Sequence, residues 1–326
     1  MVATAAAAYA RAVPAVNPAP GPAQATGLAE LPPNHDTDLK LYLPDGRTIV
    51  GPDALRRMRS EADLILWFAG NQFFAMDALI AAFQQAHPGM GVGLLTLPAG
   101  LLLSAIEGGG WRYDGKDYPG TPDLYASVNL AHLARLKARG MMATYATYLH
   151  NELQIMVARG NPKRITGIDD LARSDVRTTM PNPVNEGIMQ FYAREVLERH
   201  GIWQALSGGR SCVGCQVTER TWFAAVHHRE TPERIREGLS DAGIVYATEV
   251  TAALAMGAPV EGVALPPEDS RRDDIAYVVG ALAGSPRSAA AGKFLAFLAT
   301  PPAQQAYTRF GFMGASAEEL RLKPIP

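Results

Sequence analysis

Two cysteines and two adjacent histidines, Cys212, Cys215, His227 and His228, crowd into one short stretch of the chain. Thiolate and imidazole are the ligands of zinc and of softer transition metals, so these four form a candidate metal set. The spacing from Cys215 to His227 is near that of a zinc finger, but adjacent histidines do not readily ligate from one helix face. Gln216 follows Cys215, so the C-x-x-C-H signature of haem attachment is absent. No thioredoxin-type context surrounds the pair. The cysteines also bracket Gly214 and follow Gly208 and Gly209, where a short-loop disulfide would pin a turn in an oxidising compartment. Three readings stand open. The sequence favours the disulfide Cys212–Cys215 over metal coordination, with a free thiol pair as the third. His227-His228-Arg229 reads as a solvated helix end, although the segment borders the strand at Ile244 to Tyr246 and could reach a ligand there.

Other chemistry is sparse. The chain contains no G-x-S-x-G, H-E-x-x-H, Walker A or dinucleotide fingerprint. Glu186 and Glu249 stand as isolated carboxylates with no paired acid or base at a plausible loop position, so the chain reads as no enzyme and implies no cofactor. The glycine run Gly108 to Gly110 follows a helix and does not open one, which excludes a phosphate cradle. Thirty basic residues against thirty-two acidic ones, a net charge of -2, leave no footprint for nucleic acid or an anionic membrane. An anionic ligand would have to be attracted by local backbone dipoles.

These residues must be positioned by a chain that alternates strand and helix patterns. Leu64 to Phe68 reads as a buried strand, Phe74 to Ala86 as a helix, Val92 to Leu97 as a strand, and Leu101 to Ile106 as the start of a second helix. Leu124 to Ala126 is a further strand, followed by a helix to about Arg139. Such alternation predicts a parallel, doubly wound sheet, whose ligands sit beyond the carboxyl ends of the strands. From about Tyr148 the pattern shifts. Leu153 to Ala158 reads as a strand crossing into a second lobe, Val176 to Met180 and Gly243 to Tyr246 as strands within it, and Gly187 to Arg199 as a long amphipathic helix. Ile275 to Val279 returns to the first lobe, and helices Ala289 to Leu298 and Ala303 to Phe310 close the chain. Before all this, Pro44-Asp45-Gly46 joins two short strands and a basic helix follows. The insertion Trp111 to Pro119, with three aromatic residues, reads as a packed surface loop or as an aromatic lid.

Five segments in this order resemble the molybdate-binding protein family of ABC importers, over roughly residues 63 to 313. They are Leu66-Trp67-Phe68-Ala69-Gly70-Asn71; Pro122-Asp123-Leu124-Tyr125-Ala126-Ser127; and Met180-Pro181-Asn182-Pro183-Val184-Asn185-Glu186-Gly187. Most specific is Asp241-Ala242-Gly243-Ile244-Val245-Tyr246-Ala247-Thr248-Glu249, close to the family's "D-A-G-I-V-Y-x-[ST]-D". The ending Ala303 to Phe312 resembles its closing segment.

The resemblance implies an α/β fold of the type II periplasmic-binding-protein kind. Each lobe would be a mixed, mostly parallel sheet flanked by helices, with a small N-terminal hairpin and helix added. Pro/Ala-rich composition gives a disordered leader at 1–27 and the turn signal gives the extension at 28–62, while the resemblance implies lobe 1 at 63–147 and 250–326 and lobe 2 at 148–249. It implies capture of a small polar or anionic solute, an oxyanion such as molybdate or tungstate among them, for an ABC permease outside the cytoplasm. No clear signal peptide is visible. The matching loops put Asn71, Gln72, Ala99, Gly100 and Ser127 on one side of the ligand, and Asn185, Glu186, Tyr246 and Thr248 on the other.

The loops also depart from the family. Asn71-Gln72 stands where a Ser is usual, and Pro98-Ala99-Gly100 replaces a pair of hydroxyls, removing two donors. Glu186 would repel an anion if it pointed inward. The alternative reading is an accessory or sensor protein that holds a metal or metal complex through Cys212, Cys215, His227 and His228.

Overall fold

The run Leu64–Ala69 (LILWFA) is buried at every position, as a strand covered on both faces requires. It is the centre of the first of two large sheets. The computed structural model describes residues 27–32 and 36–326. Residues 1–26, nearly all of the leader read from the sequence, lie outside the described residues.

In the first sheet Leu64–Ala69 pairs in parallel with Val92–Leu97 and Leu124–Ser127, with Leu66 opposite Leu94 on one side and Leu124 on the other. Ala276–Ala281 returns antiparallel beside Leu124–Ser127, and Thr144–His150 lies antiparallel beyond it. Alternate residues of the central strand face two different packs. Phe68 meets Phe294 edge-on at 6.0 Å under the C-terminal helices, while Trp67 meets Trp111 at 5.3 Å on the opposite face. Each such ring, once buried, contributes about 1.5–3 kcal/mol of transfer free energy.

The hairpin Leu39–Tyr42 and Thr48–Val50 is hydrogen-bonded onto the edge of this sheet through Val92–Leu97. Leu39, Leu41 and Tyr42 are buried there, so the N-terminal extension continues the sheet. The Trp111 to Pro119 insertion forms the hairpin Gly110–Tyr113 and Lys116–Pro119, with Ala29–Glu30 alongside. Trp111 is buried against Trp67, so the packed reading holds and the lid reading does not.

The second sheet has the order Cys215–Gln216, Thr221–Ala224, Thr178–Pro181, Ala242–Tyr246, Leu153–Ala158, Val260–Ala264. Thr178–Pro181 runs parallel to both of its neighbours, and Leu153–Ala158 antiparallel to both of its own. Val260–Ala264 corrects the division drawn from the sequence, which placed residues 250–326 with the first lobe. Its pairing with Leu153–Ala158 puts it on the second sheet. The segment alternates half-buried and exposed positions, as an edge strand does, so it carries little apolar signal.

The chain passes from the first sheet to the second at Asn151–Glu152 and returns through the short helix Pro267–Ser270. The long helix read over Gly187 to Arg199 carries a π-helical turn at Met189–Ala193 before its α-helical end, Arg194–Arg199. Among the described residues no helix is long and apolar enough to cross a membrane.

Candidate functional site

Three parallel strand ends of the second sheet converge on one buried cluster. Beyond Thr178–Pro181, the Asn182 side chain shapes the turn: Oδ1 accepts the Val184 and Asn185 N–H groups at 3.0 and 2.9 Å, and Nδ2 donates to the Ala224 carbonyl at 2.8 Å. That turn presents Glu186. Beyond Thr221–Ala224, the Glu230 carboxylate accepts the Ala225 and Val226 N–H groups at 2.7 and 2.9 Å, fixing the start of the helix His227–Arg236. Beyond Ala242–Tyr246, the helix Ala247–Ala255 begins at once, and Glu249 accepts the Tyr246 N–H at 3.2 Å. Carboxylates suit these positions because the first turn of a helix offers unsatisfied N–H groups and positive dipole.

His227 stands between the two acids. Its Nδ1 lies 3.0 Å from Glu186 and its Nε2 3.0 Å from Glu249, while Glu186 also accepts the His227 backbone N–H at 3.0 Å. All three side chains are buried. Burial alone would push the imidazole down, but the two carboxylates outweigh it and push it up to about 10. Burial raises the Glu249 carboxyl above its usual range, with His227 opposing. His227 is therefore an imidazolium held between two acids.

His228, the next residue, reaches toward the first sheet. Its ring stacks on Phe73 at 5.3 Å and lies nearly perpendicular to His227 at 5.4 Å. A Cβ at Gly70 would come within 2.5 Å of it, so that loop needs a glycine there. One ring nitrogen from each histidine and a Glu249 oxygen lie within 4.8 Å of one another.

The first sheet meets this cluster with neutral groups. Asn71 donates its amide to the Tyr277 hydroxyl; Asn151 donates to the same hydroxyl at 3.0 Å and to Thr248 Oγ1 at 2.9 Å. Tyr148 donates to the Gln72 side chain at 2.7 Å. The Gly100 N–H donates to the Asn185 carbonyl at 3.0 Å, a direct backbone link between the two lobes. Arg229 pairs with Asp38 and lies over the Phe73 ring, a further link. The lobes are closed on each other.

The structure thus gathers Asn71, Gln72, Gly100, Asn185, Glu186, Tyr246 and Thr248 around one cleft. The Tyr246 hydroxyl is buried beside His227 and Tyr277 with no hydrogen-bond partner among the described residues. Ala99 contributes a carbonyl, which accepts from the Tyr125 hydroxyl at 2.7 Å. Ser127 is turned elsewhere: its hydroxyl lies 2.9 Å from His132 Nδ1, within the first lobe. Burial, and to a lesser degree Arg135, pushes His132 down to about 4, so that imidazole is neutral.

Cys212 and Cys215 are joined as a disulfide, the reading the sequence favours, and Cys215 pairs opposite Phe223 on the edge strand of the second sheet, so the cysteines do not join the histidines in a four-residue metal set. One expectation is corrected. His227 and His228 are no solvated helix end; they are 2% and 4% exposed, because Glu186, Glu249 and Phe73 enclose them. Asn151, Tyr148 and Tyr277 were not anticipated. The tyrosines sit in strands where an aromatic reads as core, and nothing local marks Asn151 beyond its place at the crossover.

Two α/β sheets, a double chain crossing and a polar cleft at the strand ends define a two-lobed binding-protein clamp. The chain matches the model for bacterial extracellular solute-binding protein over residues 64–313, and it belongs to that family. Among solved structures it is similar to the periplasmic molybdate-binding protein of Azotobacter vinelandii, with 16% identity over 78% of this chain and 100% of that one, TM-score 0.60. It is similar to the sulfate-binding protein SubI of Mycobacterium tuberculosis H37Rv, with 21% identity over 78% and 88%, TM-score 0.56. It is also similar to the substrate binding protein of an ABC transporter from Agrobacterium tumefaciens, with 13% identity over 86% of each chain, TM-score 0.61. At these identities the likeness speaks for the fold. No curated protein matches the chain.

Proposed function

We propose that the chain captures a small polar solute between its two lobes and delivers it to an ABC-type permease outside the cytoplasm, without chemical change to the solute. The observation that carries this is the convergence of strand-end loops from both sheets on one buried polar cluster, closed by the Gly100 to Asn185 bond. Closure of this kind works when contacts from both lobes stabilise a state that is otherwise less populated. The disulfide Cys212–Cys215 accords with an oxidising compartment such as the periplasm. We assign the ligand contacts to Asn71, Gln72, Gly100, Asn185, Tyr246 and Thr248, around the ionised cluster.

The names of two structural neighbours point to oxyanions, molybdate and sulfate, as the solutes of those proteins. Charge argues differently here. Glu186 and Glu249 lie at the second-lobe loops of the cleft, on either side of His227. Carboxyl oxygens in a buried site disfavour a bare dianion and favour a solute that brings positive charge or neutral donors.

Calorimetric titration and thermal shift of the whole chain test the reading. The panel is molybdate, tungstate, sulfate, small organic acids and divalent metals. One class binds one-to-one and is recovered unchanged, raising stability by about 2.7 kcal/mol at a hundredfold excess over Kd. Conversion of a bound compound into product, or no binding across the panel, overturns the proposal.

A further inference from the structure

We propose that His227, His228 and Glu249 form a binding site for a divalent transition metal of the zinc class, with Glu186 orienting His227. The site lies in the cleft between the lobes. The inference rests on the solute-binding reading and names the solute class, a divalent ion arriving free or in a chelate.

The donor set is the first argument. Two imidazole nitrogens and a carboxylate oxygen are the His₂Glu set that zinc accepts when it keeps a fourth position open. The three candidate atoms lie within 4.8 Å of one another. Ligands on a tetrahedral ion at about 2.0–2.1 Å stand roughly 3.4 Å apart. Bringing the three donors closer by up to about 1.4 Å places them on one ion with the fourth position open.

The second argument is the support behind the donors. A Glu186 oxygen lies 3.0 Å from His227 Nδ1, and Nε2 is directed at Glu249, also at 3.0 Å. A carboxylate on the far nitrogen is the usual partner of a metal-bound histidine, because it fixes the tautomer and strengthens the donor. Glu186 is itself held by the His227 backbone N–H, so the orienting group is anchored to the helix it orients.

Charge and placement supply the third. Two carboxylates that are 3% exposed each need cationic charge close by. A divalent ion on two neutral imidazoles balances both, its binding releasing the Nε2 proton of His227 to solvent. The open position would face the first lobe, where His228 lies against Gly70 and Phe73. All three donors and Glu186 belong to the second lobe, and the first lobe contributes the wall formed by Gly70 and Phe73. The cysteines take no part, being joined to each other.

The test uses the full chain stripped with a chelator and then titrated with ZnCl₂, NiCl₂, MnCl₂ and MgCl₂, with zinc citrate, and with molybdate and sulfate. Co²⁺ serves as the spectroscopic probe. Zinc and nickel are expected to raise the melting temperature, magnesium to leave it unchanged, and Co²⁺ to show the intense visible absorption of a four-coordinate N/O site. His228→Ala and Glu249→Gln should each weaken zinc binding by tenfold or more, while Cys212→Ser/Cys215→Ser leaves it unchanged. Circular dichroism of the metal-free variants shows whether each is folded, and the near-isosteric Glu249→Gln carries the test if His228→Ala is not. A larger shift with zinc citrate than with ZnCl₂ assigns the solute as a chelate, and the reverse as the free ion.

No shift with any metal overturns the site, as does zinc affinity retained in both variants. Stabilisation by molybdate or sulfate alone overturns the metal site and leaves the binding-protein reading standing. Zinc binding without compaction in small-angle scattering keeps the metal site but removes the solute reading.

Discussion

Two buried histidines stand at corresponding places in the two lobes, each just beyond a parallel strand, and they are in opposite states. His132 in the first lobe bonds with the hydroxyls of Ser127 and Tyr125 and packs against the Phe191 ring, and burial pushes it down to about 4. His227 in the second lobe meets two carboxylates, which overcome burial and push it up to about 10. Desolvation acts on both in the same direction, so the partners alone decide the charge. The first-lobe groups beside His227 are amides, hydroxyls and backbone, with Asp38 set apart on Arg229, while the second lobe holds His227 and its two carboxyl groups. A face of neutral groups closes on a solute at a smaller desolvation cost than a charged one. The ionised face sets which solute is accepted.

The comparison breaks most sharply at His227. Replacing it with Leu leaves Glu186 and Glu249 buried side by side with no cation, and removing one partner of a buried ion set typically costs about 3–5 kcal/mol. Urea unfolding of His227→Leu should show a loss of that order. A change below 1 kcal/mol would mean that the acids hold a shared proton and the imidazolium is dispensable. His132→Leu leaves neutral polar groups such as the Ser127 and Tyr125 hydroxyls behind, and its cost should be smaller, roughly 1–3 kcal/mol for unpaired neutral polar groups.

The same pair predicts opposite pH limbs. The folded pKa of His227 lies above its ordinary value of 6.5, so its stabilisation is complete below about pH 6.5 and is lost as pH rises through about 10. The folded pKa of His132 lies below 6.5, so its contribution is present above that pH and is lost as pH falls toward about 4. Melting temperatures from pH 4 to 10 should therefore fall at both ends. His227→Gln should flatten the alkaline limb alone and His132→Asn the acid limb alone. An alkaline limb unchanged in His227→Gln would sink the charge assignment.

Buried strands were legible in both lobes. Leu64 to Phe68 announces itself because a strand covered on both faces is apolar throughout, and the run Asp241 to Glu249 carries both a buried strand and its helix start. The charge cluster was not legible as a cluster. Glu186 and His227 are 41 positions apart, and Glu249 is 22 positions beyond His227, so no local pattern joins them. His227-His228-Arg229-Glu230 has the polarity of an exposed helix start, and only distant partners make its first two residues core. Tyr277 was hidden by a greater distance, accepting from Asn71 across 206 positions. Val260–Ala264 was missed for a different reason: one buried residue in five leaves an edge strand almost without a pattern.

The smallest predicted effect isolates closure from folding. Gly100 sits in the first turn of the helix Ala99–Gly108, where alanine is the better helix former by about 0.5–1 kcal/mol. Within the first lobe the substitution should be neutral or mildly stabilising. Across the cleft it is not, because a Cβ at Gly100 would stand 2.9–3.2 Å from the Asn185 backbone. Backbone cannot rotate away as a side chain can, so the loops must part by a few tenths of an ångström and the Gly100 to Asn185 bond lengthens. That bond joins the neutral face to the turn carrying Glu186, so the penalty falls on the closed state alone. Gly100→Ala should keep or slightly raise the melting temperature without solute and weaken solute affinity severalfold, within about 1.4 kcal/mol. Calorimetry and a ligand-free melt measured together check it. An equal loss in both would place Gly100 in the folding core of the first lobe and not at the contact through which the two faces meet.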